Sequence, residues 1–400
     1  SPPVSTADKQ EGLATYQQVG DGYLEERKLR KSAGWMLLWA LGVGAVISGD
    51  FFGWNYGLAH GGFLGLGVAT LVMGAMYVCM VLSIAELSSA LPHAGGFYSF
   101  VRNALGPTAG YVCGVTDTIE YVVTPAAIVV SIGSYMNALL PVVPVEAWWV
   151  LAYFIFVAIN VRGAALTLKL GLLVTLLAVG VLLLFYAGTI VTGAFQWEKL
   201  WNIPALPGSS PYGLPMGWMG VFITLPFATW FYLAIEQLPL AAEETHDVVK
   251  NMPRALILGI LTLLALSLFT LVLNSGVGGG AEALKTSKAP LDDGFRAILG
   301  EGATQKLLTL TAVTGLIASF HTIIYAYGRV LFALSRAGYF PRWISVTSRW
   351  HTPHRALILG AVGGLACAFA IHLEETSTTG GAKPIVGPAL LSMSVSGAVV

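Results

Sequence analysis

Charge is scarce in this chain. Of 400 residues only 10% are Asp, Glu, Lys or Arg, where a soluble globular domain carries about 25%. The two signs are equal, 21 Lys+Arg against 21 Asp+Glu. With no basic patch interleaved with aromatics, nucleic acid is excluded as a partner. Cysteine is confined to Cys79, Cys113 and Cys367, each isolated in apolar sequence, so neither a disulfide framework nor a CxxC metal site is expected. A Ser-His, HExxH or paired-aspartate constellation is also missing, and the glycines from Gly278 to Gly280 lack the strand and helix context of a phosphate loop. These absences argue against an enzyme, a metal or a cofactor.

What the chain has instead is apolar length. Hydrophobic residues make up 56% of it and the mean hydropathy is +0.73. Ten apolar segments lie at about 34–59, 63–90, 107–140, 146–161, 166–193, 216–240, 254–275, 304–334, 355–373 and 384–400. Most exceed the ~20 residues that cross a bilayer. The fold class expected is an all-α polytopic membrane protein. Residues 1–33, which include EERKLRK, read as a mostly flexible cytoplasmic N-terminal tail. Ser1 opens a polar stretch with no cleavable-signal pattern, so the first span is expected to direct insertion. The last apolar run has no polar exit, and the natural chain is expected to continue past Val400.

Placing the tail in the cytoplasm puts fifteen of the 21 Lys and Arg residues inside, as the positive-inside rule requires. Five segments (34–193) precede a Pro-rich outer loop (194–215) and five (216–400) follow it. An odd number of spans per half turns the halves upside down relative to each other, the arithmetic of an inverted repeat. Both leading spans are interrupted. The first carries SGDFFG, and the sixth carries LPFATWFYLAIEQLP with two prolines and the pair Glu236 and Gln237. Matched interruptions in two halves point to a transporter site.

Asp50 lies about 16 residues into the first segment, ~24 Å at helical rise, inside the ~30 Å hydrocarbon layer. A carboxylate there costs roughly 2.5–3.5 kcal/mol on insertion scales, so it should face a ligand, an ion or a structural partner. An ionised Asp50 repels a substrate carboxylate and attracts an ammonium. Phe51, Phe52, Trp54, Trp230, Phe231 and Tyr232 supply aromatic faces for a cation. A small cation without a carboxylate is the better guest, with its hydroxyl left for Ser48, Gln237, Asn55 or His321. Glu120, near mid-depth of the third segment, is either a site residue or internally paired. His321 is either a proton-carrying group or a packing histidine. Lys169 and Arg329 can snorkel.

Three runs, AELSSALPHAGGFYSFVRNALGP (85–107), LAAEETHDVVKNMPRAL (240–256) and GRVLFALSRAGYFPRWIS with TPHRAL (328–345, 352–357), resemble the amino acid/polyamine/organocation superfamily of permeases. Within it, ISGDFFGWNYGL (47–58) is similar to the ethanolamine permease branch. The resemblance implies a five-plus-five inverted-repeat transporter fold with broken first and sixth helices in the cell membrane. It implies alternating-access import of ethanolamine or a related small amine, with an amino acid or polyamine permease as the alternative. Ser48, Gly49 and Asp50 then occupy the first break, and Trp230 is the aromatic that stacks on the substrate, six residues before Glu236. The candidate substrate-binding set is Ser48, Gly49, Asp50, Phe51, Trp54, Glu120, Trp230, Tyr232, Glu236, Gln237 and His321. Membrane lipids and a coupling proton or sodium ion complete the expected partners. Some proton-coupled relatives carry a lysine mid-way along the fifth helix, but Val174–Leu184 has no ionisable group.

Overall fold

A computed structural model of the chain describes residues 9–11, 14–16, 29–206, 214–300 and 302–377. Apart from a short antiparallel pair, β1 (Lys9–Glu11) with β2 (Ala14–Tyr16), the elements among the described residues are helices. Seven helical stretches are long and apolar enough to cross a membrane, and two shorter apolar ones, Trp35–Phe51 and Trp218–Thr229, accompany them. These nine correspond to the first nine segments expected from hydropathy. The tenth, 384–400, lies outside the described residues.

The two short members are short because they are broken. The first consists of α1 (Trp35–Val46) and α2 (Ser48–Phe51), after which the chain unwinds. Phe52 is extended and Gly53 takes φ +96°, before a single 3₁₀ turn, Trp54–Gly57. Only glycine adopts that φ without strain. Ser48, Gly49 and Asp50 are therefore still helical, with the Phe52 N–H donating to the Ser48 carbonyl (3.1 Å). The backbone unwinds at Phe52 and Gly53, in the second half of the SGDFFG stretch and after the Ser48–Asp50 part assigned to the break. Next comes α3 (Leu58–Ala90), kinked where Gly62 has φ +62°. The sixth span consists of α8 (Trp218–Thr229), an irregular stretch through Trp230–Ala234, and a 3₁₀ segment, Ile235–Glu244.

Between them run α4 (Phe97–Leu105), α5 (Pro107–Leu139), α6 (Val145–Arg162) and α7 (Ala164–Val191). After them come α9 (Val248–Ser275), α10 (Gly280–Leu284), α11 (Pro290–Leu299), α12 (Ala303–Arg336) and α13 (His354–Ser377). The first half of each broken span packs on the second half of the other: α1 on Ile235–Glu244, and α8 on Trp54–Gly57. The two therefore run antiparallel through the centre. Helix α12 touches α1, α2, α5, α6, α7 and α13, and its side chains from Ser319 to Leu334 are buried almost without exception. Apolar side chains left exposed on α3, α6 and α7, such as Leu71, Phe154, Leu173 and Leu184, form the face that lipid would cover.

One sequence expectation is corrected at the Trp35 end. Arg329 does not snorkel: it is fully buried and forks onto Glu244, with Nη2–Oε1 at 3.0 Å and Nε–Oε2 at 3.2 Å, while the Tyr325 hydroxyl donates to the same carboxylate. A buried carboxylate keeps its charge cheaply only when satisfied in this way, and the pair removes any need to reach water. The last residues before α1 are tied to the same place. Ser32 and Ala33 N–H both donate to the Glu244 carbonyl (2.7 and 2.9 Å), and His246 N–H returns to Ala33 (2.9 Å). Beside this, Arg336 pairs with Glu243 and lies 3.2 Å from His93 Nε2.

Candidate functional site

The two breaks meet face to face. A Cβ at Gly49 would overlap the Trp230 carbonyl oxygen and sit 2.7 Å from its carbon, so α2 lies directly on the unwound part of the sixth span. The Trp230 ring covers Gly53, and its centroid is 5.8 Å from Phe52. Trp54 stacks on Phe231 at 5.6 Å and 26°. Phe51 points the other way, into the notch left by Gly315 of α12. Behind Gly49, the Ser48 N–H donates to Ser319 Oγ (3.0 Å), which donates in turn to the Gly44 carbonyl (2.9 Å). The first break is thus pinned to both the sixth span and α12.

Asp50 is 0% exposed. Among the described residues it has no ion pair, and neither carboxylate oxygen has a hydrogen-bond partner. Thr270 of α9 lies beside it, but the Thr270 hydroxyl shares a hydrogen bond with the Tyr186 hydroxyl (2.6 Å). Tyr232 is nearby, its hydroxyl already shared with Ser267 (3.0 Å) and donated to the Thr70 carbonyl (3.2 Å). A carboxylate surrounded by hydroxyls and rings but without a cation is an open electrostatic position.

A second acidic group lies closer to the Trp35 end. Glu236 caps its own turn, accepting the Ala234 N–H (2.9 Å), and its side chain faces that of Glu120. Glu236 Oε2 and both Glu120 oxygens are buried without a hydrogen-bond partner in the geometry of the structure. Asp117 is one turn before Glu120 on α5, and Tyr77 borders the group. Gln237 reaches the Leu41 carbonyl at 3.4 Å and leaves its own oxygen unpaired.

His321 is not brought to either place. Its ring lies between α6 and α7, with Nε2 2.9 Å from the Thr167 carbonyl and Nδ1 3.4 Å from Asn160, and Phe156 packs against it at 5.4 Å. Asn55, a candidate for a substrate hydroxyl, instead donates to the Leu284 and Ser287 carbonyls (2.7 and 2.9 Å). It ties the first break to the segment around α10.

A sequence profile of the amino acid permease family matches residues 36–397. The chain belongs to the amino acid permease family. It is 29% identical to an uncharacterised transporter of Rhizobium meliloti (strain 1021), covering 85% of this chain and 73% of that one. It is 27% identical to an L-asparagine permease of Streptomyces coelicolor (85% and 69%) and 26% identical to a branched-chain amino acid permease of Bacillus subtilis (83% and 73%). In fold it is similar to Mhp1, a nucleobase-cation-symport-1 family transporter solved closed with bromovinylhydantoin bound. That match has a TM-score of 0.63 at 12% identity and covers 92% of this chain and 77% of that one. The protein is a multi-pass membrane permease of the transporter fold and not an enzyme.

Three neighbours of the permease's candidate site escaped sequence reading. Asp117 carried a signal, since it sits three residues before Glu120 and so on the same helix face. Thr270 and Tyr186 carried none, because hydroxyls on apolar helices are commonplace and only the packing of α7 and α9 brings them to Asp50. No group of His, Cys, Asp and Glu among the described residues is arranged to hold a metal ion.

Proposed function

We propose that this permease carries ethanolamine or a closely related small cationic amine across the cell membrane by alternating access, with its N-terminus in the cytoplasm. The observation that supports this reading is Asp50: a carboxylate sealed at the paired breaks, without a cationic partner, among the Tyr186, Thr270 and Tyr232 side chains. An ammonium supplies the missing counter-charge. At about 4 Å and an effective dielectric constant near 20 the attraction is about 4 kcal/mol. Phe52, Trp54 and Trp230 line the same paired breaks, and an aromatic face over the cation would add ~0.5–2 kcal/mol. A carboxylate-bearing solute brings a repulsion of similar size to the same place.

The substrate-binding set is then Ser48, Gly49, Asp50, Trp54, Trp230 and Tyr232, assembled from α2, the turn after it and the sixth break, while Phe51 packs into the Gly315 notch of α12 instead. Glu120, Glu236 and Gln237 form a neighbouring polar group. Two facing carboxyls with no cationic partner are chemically suited to hold a coupling proton or a monovalent cation. His321, engaged at both ring nitrogens, serves packing in this reading.

A second reading is favoured by the relatives, two of which are named for asparagine and branched-chain amino acids. In it Asp50 reads the α-amino group and the carboxylate is held elsewhere. Thermal-shift screening of the purified protein against ethanolamine, other small amines and neutral amino acids separates the two. Stabilisation by ethanolamine alone supports the first, whereas stabilisation by alanine, leucine or asparagine and none by ethanolamine supports the second.

A further inference from the structure

At the end of α9 far from Trp35, a cavity of about 280 Å³ is bounded by Asn274, Val277, Gly278, Gly279, Asp293 and Gly294. Its volume is just below the ~300–1,000 Å³ of pockets for drug-sized ligands, which suits a solute of a few heavy atoms. Asn274 is 0% exposed, yet neither its amide oxygen nor its amide nitrogen has a hydrogen-bond partner, and the adjacent Ser275 hydroxyl is also unpaired. Buried amides left in that state are rare in native proteins, and no described residue supplies this one with a partner. Gly294 gives it room: a Cβ there would come within 2.7 Å of Asn274 Oδ1.

The position of Asn274 connects this cavity to the breaks. Ser267, Thr270 and Asn274 follow the i, i+3, i+7 spacing of one helix face, and all three are 0% exposed. Ser267 holds the Tyr232 hydroxyl, and Thr270 lies beside Asp50. Asn274 is one helical turn, ~5.4 Å, beyond Thr270. The face forms a polar file through an otherwise apolar helix, from the cavity to the carboxylate. Asp293 is the charged residue in the cavity wall. Its carboxylate accepts a hydrogen bond from Ser287 (2.5 Å), and its residue is exposed.

We propose that this cavity is a second, weaker binding site for a small protonated amine bearing another polar group, loaded before the solute passes along α9 to Asp50. This rests on the amine reading of the permease. The Asn274 oxygen accepts from the ammonium, its nitrogen donates to the second polar group, and Asp293 sets the negative sign at the wall.

Equilibrium binding of radiolabelled ethanolamine to the purified full chain tests the assignment. Two sites per chain are expected, one tight and one weak. Asn274→Leu should weaken the second at least tenfold, as expected for a lost hydrogen bond to a charged group, and leave the tight one intact. Gly294→Ala, which fills the space beside the amide, and Asp293→Asn, at an exposed position, should weaken the same site if Asn274→Leu does not fold. Asp50→Asn should remove the tight site and leave the weak one. A single site abolished by Asp50→Asn overturns the second site and leaves the amine reading standing. A weak site sensitive to Asn274→Leu alongside a tight site indifferent to Asp50→Asn does the reverse. Two sites that none of the Asn274, Asp293 and Gly294 variants disturb, or radioactive sodium bound there with no amine, also overturn the proposal.

Discussion

Replacing Gly49 by alanine adds one methyl group where the two broken spans touch. The new carbon would sit 2.7 Å from the Trp230 carbonyl carbon and 3.4 Å from the Phe231 nitrogen, overlapping the Trp230 oxygen. Carbon atoms in contact prefer about 3.5–4.0 Å, so the backbones must part by roughly 1 Å. No flexible side chain is available to absorb this, and α2 is fastened on its other side through Ser48 and Ser319. Overpacking of this kind costs about 1–3 kcal/mol, and a backbone-on-backbone clash belongs at the upper end. A control is built into the fold: Gly180 in α7 has nothing within 4 Å of a Cβ, and alanine is the better helix former by about 1 kcal/mol. In detergent, Gly49→Ala should lower the melting midpoint by about 3–6 °C and cut uptake more than tenfold, while Gly180→Ala melts at or above the wild-type temperature. Wild-type melting and uptake for Gly49→Ala would refute the direct contact of the breaks.

Other outcomes follow from the same geometry. Arg329→Met should destabilise by about 3–5 kcal/mol, because it strands the buried Glu244 carboxylate; pairing it with Glu244→Gln should recover part of the loss in a double-mutant cycle. His93, in the connection between α3 and α4, has its pKa lowered by burial and by the neighbouring Arg336 guanidinium. The unfolded chain therefore binds the extra proton first, and stability falls as pH drops below the unfolded value of about 6.5; melting curves from pH 8 to 5 should show a shallower decline for His93→Gln. Trp230→Ala should raise the half-saturation constant for the amine severalfold, and an unchanged constant in an uptake assay would mean that the ring only packs.

Nine spans were legible because a 20-residue apolar run has few alternatives in water. The matched breaks were legible because Asp50, Gly53, Pro226 and Glu236 are costly or disruptive in a membrane helix. Their exact shape was not. Ala234 adopts φ +82°, although alanine is the best helix former, because the sixth span must turn where α2 rests on Trp230. Local propensity carries no trace of a constraint imposed from 180 residues away. The partners of His321 and Arg329 were hidden for the same reason: Asn160, Thr167 and Glu244 are distant in sequence and become neighbours only through helix packing. Asp50 and Tyr232 were singled out in the sequence, but the hydroxyl neighbours Thr270 and Tyr186 were not.

The most direct test of the account is uptake of radiolabelled ethanolamine by proteoliposomes carrying Asp50→Asn. The substitution keeps shape and removes one charge. The account predicts a folded, membrane-inserted protein whose affinity for the amine has dropped by about a thousandfold, the equivalent of about 4 kcal/mol. Near-normal uptake by that variant would show that the buried carboxylate does not anchor the substrate.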